Sequence, residues 1–117
     1  MNEAPALYRL LGDEARLRLL RLLSQERLNV TELTGVLGIA QSGVSRHLGL
    51  LKDAGLIVEQ REGGYTYFRP SPSLAAGENG SGPLAELLKA EFAEAARTET
   101  GRADDARLEE VRRLRKE

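Results

Sequence analysis

Cysteine is absent from the 117 residues, histidine occurs once, tryptophan not at all, and the aromatics amount to three tyrosines and two phenylalanines. Without a thiol there can be no disulfide, thiolate metal site, nucleophilic cysteine or thiol redox switch, and such a chain suits a reducing, cytoplasmic compartment. A single histidine leaves too little material for a zinc site, a Ser-His-Asp triad or a Cys-His pair, so most catalytic chemistries are disfavoured and no enzyme is expected. Long apolar runs are missing as well. No stretch approaches the roughly 18 consecutive apolar residues of a membrane span, and the opening MNEAPALYRL lacks the basic region and apolar run of a signal peptide. A soluble, unexported protein is expected. Nor does one sign of charge dominate. With 17 basic residues against 18 acidic ones the net charge is −1, so any electrostatic case for nucleic acid has to be local.

What is present is a helix-forming composition, rich in Leu, Ala, Glu and Arg, on a chain of single-domain length that needs no staples to bury a core. Ala4 to Leu11 reads as a short helix with Pro5 near its start and Gly12 past its end. Asp13 then offers an N-cap to ARLRLLRLLS, whose leucines at 17, 19, 20, 22 and 23 form an apolar face opposite Arg18, Arg21 and Gln25. Thr31 is the expected N-cap of a third helix, Glu32 to Leu37, stopped by Gly38. From Gln41 the pattern QSGVSRHLGLLKDAG places Val44, Leu48 and Leu51 on one arc and Gln41, Ser42, Ser45, Arg46, Gly49 and Lys52 on the other. LIVEQRE and YTYFRP then read as two strands about Gly63-Gly64, a tight hairpin ended by Pro70. SPSLAAGENGSGP has linker composition and is expected to be a mobile loop. Leu84, Leu87, Leu88, Phe92 and Ala95 resume helical spacing, and a charged last helix carries Leu108, Val111 and Leu114.

Two helices joined by a short Gly-containing turn, the second exposing a polar face near its start, make a helix-turn-helix, and the hairpin directly after it makes a wing. The expected fold class is therefore α+β, mostly helical: a winged helix-turn-helix with a two-stranded wing and a C-terminal dimerisation helix. Residues 12 to 70 resemble the ArsR/SmtB family of bacterial transcriptional regulators, through GDEARLRLLRLL, LNVTEL, QSGVSRHLGLLKDAGLI and REGGYTYFR. That resemblance implies a homodimer that binds double-stranded operator DNA and usually represses, with the first and last helices at the dimer interface. Leu7, Leu10, Leu11, Leu84, Leu88 and Phe92 are the residues expected there. The departures are informative. Where the arsenic and cadmium sensors carry two cysteines in the segment reading LNVTEL, this chain has Asn29 and Thr31, and the helix from Leu84 to Arg97 lacks the histidines of the zinc and nickel sensors. No metal site and no cofactor are expected, and an effector, unidentified, would be something other than a thiolate-bound metal.

The candidate DNA-binding residues are Gln41, Ser42, Ser45, Arg46 and Lys52 on the helix and Arg61, Tyr65, Tyr67 and Arg69 on the hairpin. Arg46 is placed to read guanine or to hold a phosphate, while Arg61 and Arg69 flank the wing and should meet phosphate. His47 lies beside Leu51 and Ala54 on the buried arc, a packed histidine rather than a contact. Gly43 and Gly49 each cost about 1 kcal/mol in a helix, which either a tight helix crossing or close approach to DNA would explain. Residues 40 to 70 carry one net positive charge, from Arg46, Lys52, Arg61 and Arg69 against Asp53, Glu59 and Glu62. The division expected is a DNA-binding and dimerisation domain over residues 1–97 and a charged helix or linker over 98–117, with pairs such as Arg107–Glu110 and Glu109–Arg113 on a solvated or coiled helix. GRADDARLEEVRRLRKE also resembles the linker helix that joins such a domain to an S-adenosylmethionine-dependent methyltransferase, which points to a trimmed longer parent. The alternative function is thus a protein-interaction module of an attached methyltransferase. The surface around Ser45 and Arg46 discriminates, being positive for a DNA reader and apolar for a docking module.

Overall fold

In the computed structural model, which describes residues 9–72 and 83–116, a helical turn over residues 9–11 leads to Asp13. The Asp13 carboxylate accepts the Arg16 backbone N–H at 3.1 Å. It thereby satisfies one of the donors that a helix start leaves unpaired. Helix α1 (Glu14–Leu23) follows and buries Leu19, Leu20, Leu22 and Leu23. Leu7 and the rest of the expected first helix lie outside the described residues.

Asn29, not Thr31, caps α2 (Val30–Leu37). Its Oδ1 accepts the Glu32 N–H at 2.8 Å, and the Glu32 carboxylate accepts the Asn29 N–H at 3.1 Å. This reciprocal box begins the helix two residues earlier than a Thr31 cap allows. Gly38 ends it in the left-handed conformation, φ 71°, and α3 (Gln41–Asp53) starts after a three-residue turn, burying Val44, His47, Leu48 and Leu51. Ala54, expected to be buried beside His47, is the exposed C-cap residue where α3 has already ended.

Strands β1 (Ile57–Glu62) and β2 (Tyr65–Pro70) pair antiparallel from Ile57↔Pro70 to Glu62↔Tyr65. Gly63 and Gly64 both take positive φ, 61° and 84°, as a two-residue hairpin turn of this twist requires. On its other edge β2 exchanges hydrogen bonds with Leu28, Leu28 N–H to the Phe68 carbonyl at 3.2 Å and the reverse at 2.8 Å. The hairpin base is thus stitched to the α1–α2 connection. The expected loop after Pro70 falls mostly on residues 73–82, outside the described residues.

Helices α4 (Pro83–Ala96) and α5 (Glu99–Lys116) complete the chain. Their junction is tight enough that a Cβ on Gly101 would sit 2.0 Å from the Ala95 carbonyl oxygen. The expected division at residue 98 falls in this junction, and helices on both sides of it pack against α1. Contrary to the expectation of a solvated helix, α5 buries Leu108 and Asp104 completely, while Leu114 stays 56% exposed. Asp104 receives two hydrogen bonds from Arg18, at 2.9 and 2.8 Å, and Asp105 pairs with Arg21 at 2.5 Å. The arginine side of α1 is therefore a docking face for α5, with Arg21 itself buried. Among the described residues the ion pairs within α5 include Arg107–Asp104, Arg112–Glu109 and Arg113–Glu110, and the expected Arg107–Glu110 pair does not form because Arg107 leans toward Asp104.

Candidate nucleic-acid interface

Helix α3 is fixed by its leucine arc, so its opposite side is presented outward: Gln41, Ser42, Ser45, Arg46 and Lys52 are all exposed. Among the described residues Arg46 has no ion-pair or hydrogen-bond partner. A Cβ built on Gly43 or on Gly49 would meet nothing within 4 Å. Among the described residues, therefore, no helix crossing within the chain accounts for either glycine. Leu50, which the sequence reading passed over, is 39% exposed, and at 100° per residue it lies about 40° from Arg46 on the same face. Its leucine identity concealed it, although its helical angle could have revealed it. Lys52 is turned aside by an ion pair to Glu59 at 2.9 Å.

On the wing, register decides what faces where. Opposed residues share a face, so Tyr65, Tyr67 and Arg69 lie on one side with Glu62, Gln60 and Val58, while Arg61 and Thr66 lie on the other with Glu59 and Phe68. Arg61 and Arg69 therefore do not flank the tip together. Arg61 is one pair from the turn, Arg69 is near the base on the opposite face, both are exposed, and neither has a partner among the described residues. Tyr65 is 59% exposed. Tyr67 is occupied by the protein itself, with the Arg27 guanidinium 4.4 Å and that of Arg115 5.4 Å from its ring centre. Arg27 also neutralises Glu62 at 2.5 Å. With Lys52 and Glu59 mutually paired, Arg46, Arg61 and Arg69 stand against Asp53 alone, a more positive footprint than a count over residues 40 to 70 suggests.

His47 is buried, as its helical angle implied, at 6% exposure. Its Nδ1 lies 3.3 Å from Arg16 Nη1, and Arg16 Nε donates to the Leu10 carbonyl at 2.5 Å. Burial lowers the His47 pKa, Asp13 opposes the shift, and Arg46 and Arg16 reinforce it. The ring is accordingly neutral at pH 7, with Nδ1 accepting from the guanidinium. A metal finds little here. Asn29 is committed to its capping box and Thr31 is an exposed hydroxyl, neither of them a soft ligand. Among the described residues no group of three or more His, Cys, Asp or Glu side chains could hold an ion.

Of the residues expected to pair two chains, Leu11 and Leu88 are already spent on the protein's own core, at 5% and 4% exposure. Leu10 and Phe92 pack against that core half-buried and keep some surface. Leu7 and the Leu84 side chain lie outside the described residues.

A largely polar arc on the second helix of a helix-turn-helix, in which Arg46 has no ion-pair partner among the described residues, beside a glycine-tipped hairpin, defines a winged helix-turn-helix domain. Residues 13–58 match the family model for bacterial regulatory proteins of the arsR family. It is 37% identical over 71 residues to the arsenic resistance transcriptional regulator ArsR1 of Pseudomonas putida, a stretch covering 60% of this chain and 56% of that protein. It is 38% identical over 71 residues to the arsenical resistance operon repressor of Escherichia coli, covering 60% of this chain and 61% of the relative. The match thus spans about three-fifths of these relatives' length. Among solved structures, the transcriptional repressor BigR from Xylella fastidiosa superposes with a TM-score of 0.63 at 26% identity, over 79% of this chain and 82% of that one. The antimony-specific repressor AntR superposes with a TM-score of 0.59 at 27% identity, over 82% of each chain.

Proposed function

We propose that the protein is a DNA-binding transcriptional regulator, a repressor acting as a homodimer on a two-part operator in the cytoplasm, with no catalytic role. The observation that carries this reading is the outward arc of α3: Ser42, Ser45 and Arg46 exposed, Gly43 and Gly49 with open space where a Cβ would stand. Small residues let a helix approach the base edges, and a free guanidinium gives it something to read them with. The polarity of this strip favours DNA over a docking role, since Leu50 is its one large exposed apolar side chain among the described residues. The relatives named for repression and the shared fold support the same reading. Because the chain has no cysteine, the effector in this reading is something other than a thiolate-bound metal.

The test is selection from a random pool of duplexes by the purified protein, with sedimentation of the selected complex. Enrichment of a motif with two half-sites, bound by two chains, supports the proposal. A pool that stays random after repeated rounds, with retention that vanishes at moderate salt, overturns it.

A further inference from the structure

The last turn of α5 reaches across the molecule to the wing through Arg115. Its Nε and Nη2 donate to the two Glu32 oxygens at 2.9 and 2.6 Å, its Nη1 to Glu26 at 2.9 Å, and its Nη2 also to the Arg27 carbonyl at 2.8 Å. The same guanidinium lies 5.4 Å from the centre of the Tyr67 ring, whose nearer cation is Arg27 at 4.4 Å. Arg27 in turn holds Glu62, the residue of β1 next to the Gly63-Gly64 turn. An unbroken series of contacts therefore runs from the end of α5 to the tip of the hairpin.

Its geometry distinguishes it from a loose surface ion pair. The Arg115 and Glu32 side chains are only 27% and 19% exposed, and their contact is a two-pronged, charge-assisted one. Glu32 also belongs to the box that starts α2, so Arg115 ties the first helix of the helix-turn-helix to the wing. Hydrogen bonding to Glu32, against the effect of burial, raises the Arg115 pKa. A two-stranded hairpin has little orientational stability of its own, and the backbone stitch to Leu28 reaches only Phe68, near the base. Beyond that point only side chains can set the hairpin's angle, and the Arg27 and Arg115 contacts to Tyr67 and the Arg27–Glu62 pair lie there.

We propose that Arg115 is a positioning residue for DNA binding, which holds the wing at the angle where Arg61, on the opposite face, meets the phosphate backbone. This rests on the DNA-reading role argued above. It makes the C-terminal helix a determinant of affinity without touching DNA.

The experiment is a mutant cycle on a duplex selected by the wild-type protein, joined to amide hydrogen exchange on the DNA-free chain. Arg61→Ala should weaken wild-type binding about fivefold through one lost phosphate contact, but less than about twofold in an Arg115→Gln background. Arg46→Ala, reading through α3, should cost the same factor in both backgrounds. Equal Arg61→Ala factors in the two backgrounds overturn the proposal. Without DNA, Arg115→Gln should speed exchange at residues 60–66 while leaving α3 amides unchanged, and unaltered exchange at the wing also overturns it. If Arg115→Gln does not fold, Tyr67→Leu breaks the contact from the wing side and takes its place in the cycle. If the wild-type protein selects no duplex, the DNA-reading role falls, and the exchange comparison alone decides whether Arg115 positions the wing.

Discussion

Gly49 stands inside a helix, where glycine costs about 1 kcal/mol relative to alanine, with open space at its missing Cβ. Gly49→Ala should therefore raise stability by about that amount in urea denaturation while weakening binding to a selected duplex. A variant both destabilised and fully active would refute the close-approach explanation. His47 makes a second prediction. Burial, only partly opposed by Asp13, puts its folded pKa below the usual 6.5, so the unfolded chain binds more protons and stability, complete above about pH 6.5, falls as pH drops through that value toward the folded pKa. For Asp13, partial burial is outweighed by the Arg16 N–H and guanidinium, which lowers its pKa from 3.8, so its stability is lost only in a more acidic window. The urea midpoint should thus drop between pH 7.5 and 5.5 in the wild type and stay level in His47→Asn; parallel curves would contradict this. Both the Asp13 cap and the burial of His47 were legible in the sequence, because caps and helical angles are local. The cap at Asn29 was misread because Thr31 offers the same hydroxyl or carbonyl chemistry two residues on, and only the reciprocal Glu32 contact decides between them.

The helices and the hairpin were legible as elements because each carries its own punctuation: Gly38, Gly55 and Gly63-Gly64 all take positive φ. The role of α5 was not legible. A sequence dominated by charge reads as solvated, and the partners that draw it into the core, Arg18 and Arg21, are 86 and 84 residues away. The wing faces were hidden for a related reason, since which side Arg61 shares depends on a register that only the paired strands define. Docking of α5 rests on Asp104, fully buried against Arg18. Asp104→Ala leaves that guanidinium without its main partner and should cost about 3 kcal/mol in chemical denaturation, whereas a loss below about 0.5 kcal/mol would mean that α5 is not part of the cooperative unit.

Net charge conceals which charges this protein leaves exposed. Its overall −1 hides a division of labour in which most arginines on α1 and α5 are neutralised internally, by Asp104, Asp105, Glu26, Glu32, Glu109 and Glu110. On the helix-turn-helix and the wing, Arg46, Arg61 and Arg69 have no ion-pair partner among the described residues. The chain also has no thiol to offer a soft metal or metalloid. Calorimetric titration with zinc, cadmium and arsenite should find no stoichiometric site tighter than micromolar, and a submicromolar site would show that oxygen ligands suffice. The reading of α3 as the element that recognises sequence is settled by Arg46→Ala, measured on a selected duplex and on a scrambled one at two salt concentrations. Loss of about 1 to 3 kcal/mol on the selected duplex, with little change on the scrambled one, is the result expected of a base reader. Equal weakening of both duplexes, with a shallower salt dependence, would make Arg46 a phosphate contact and contradict that assignment.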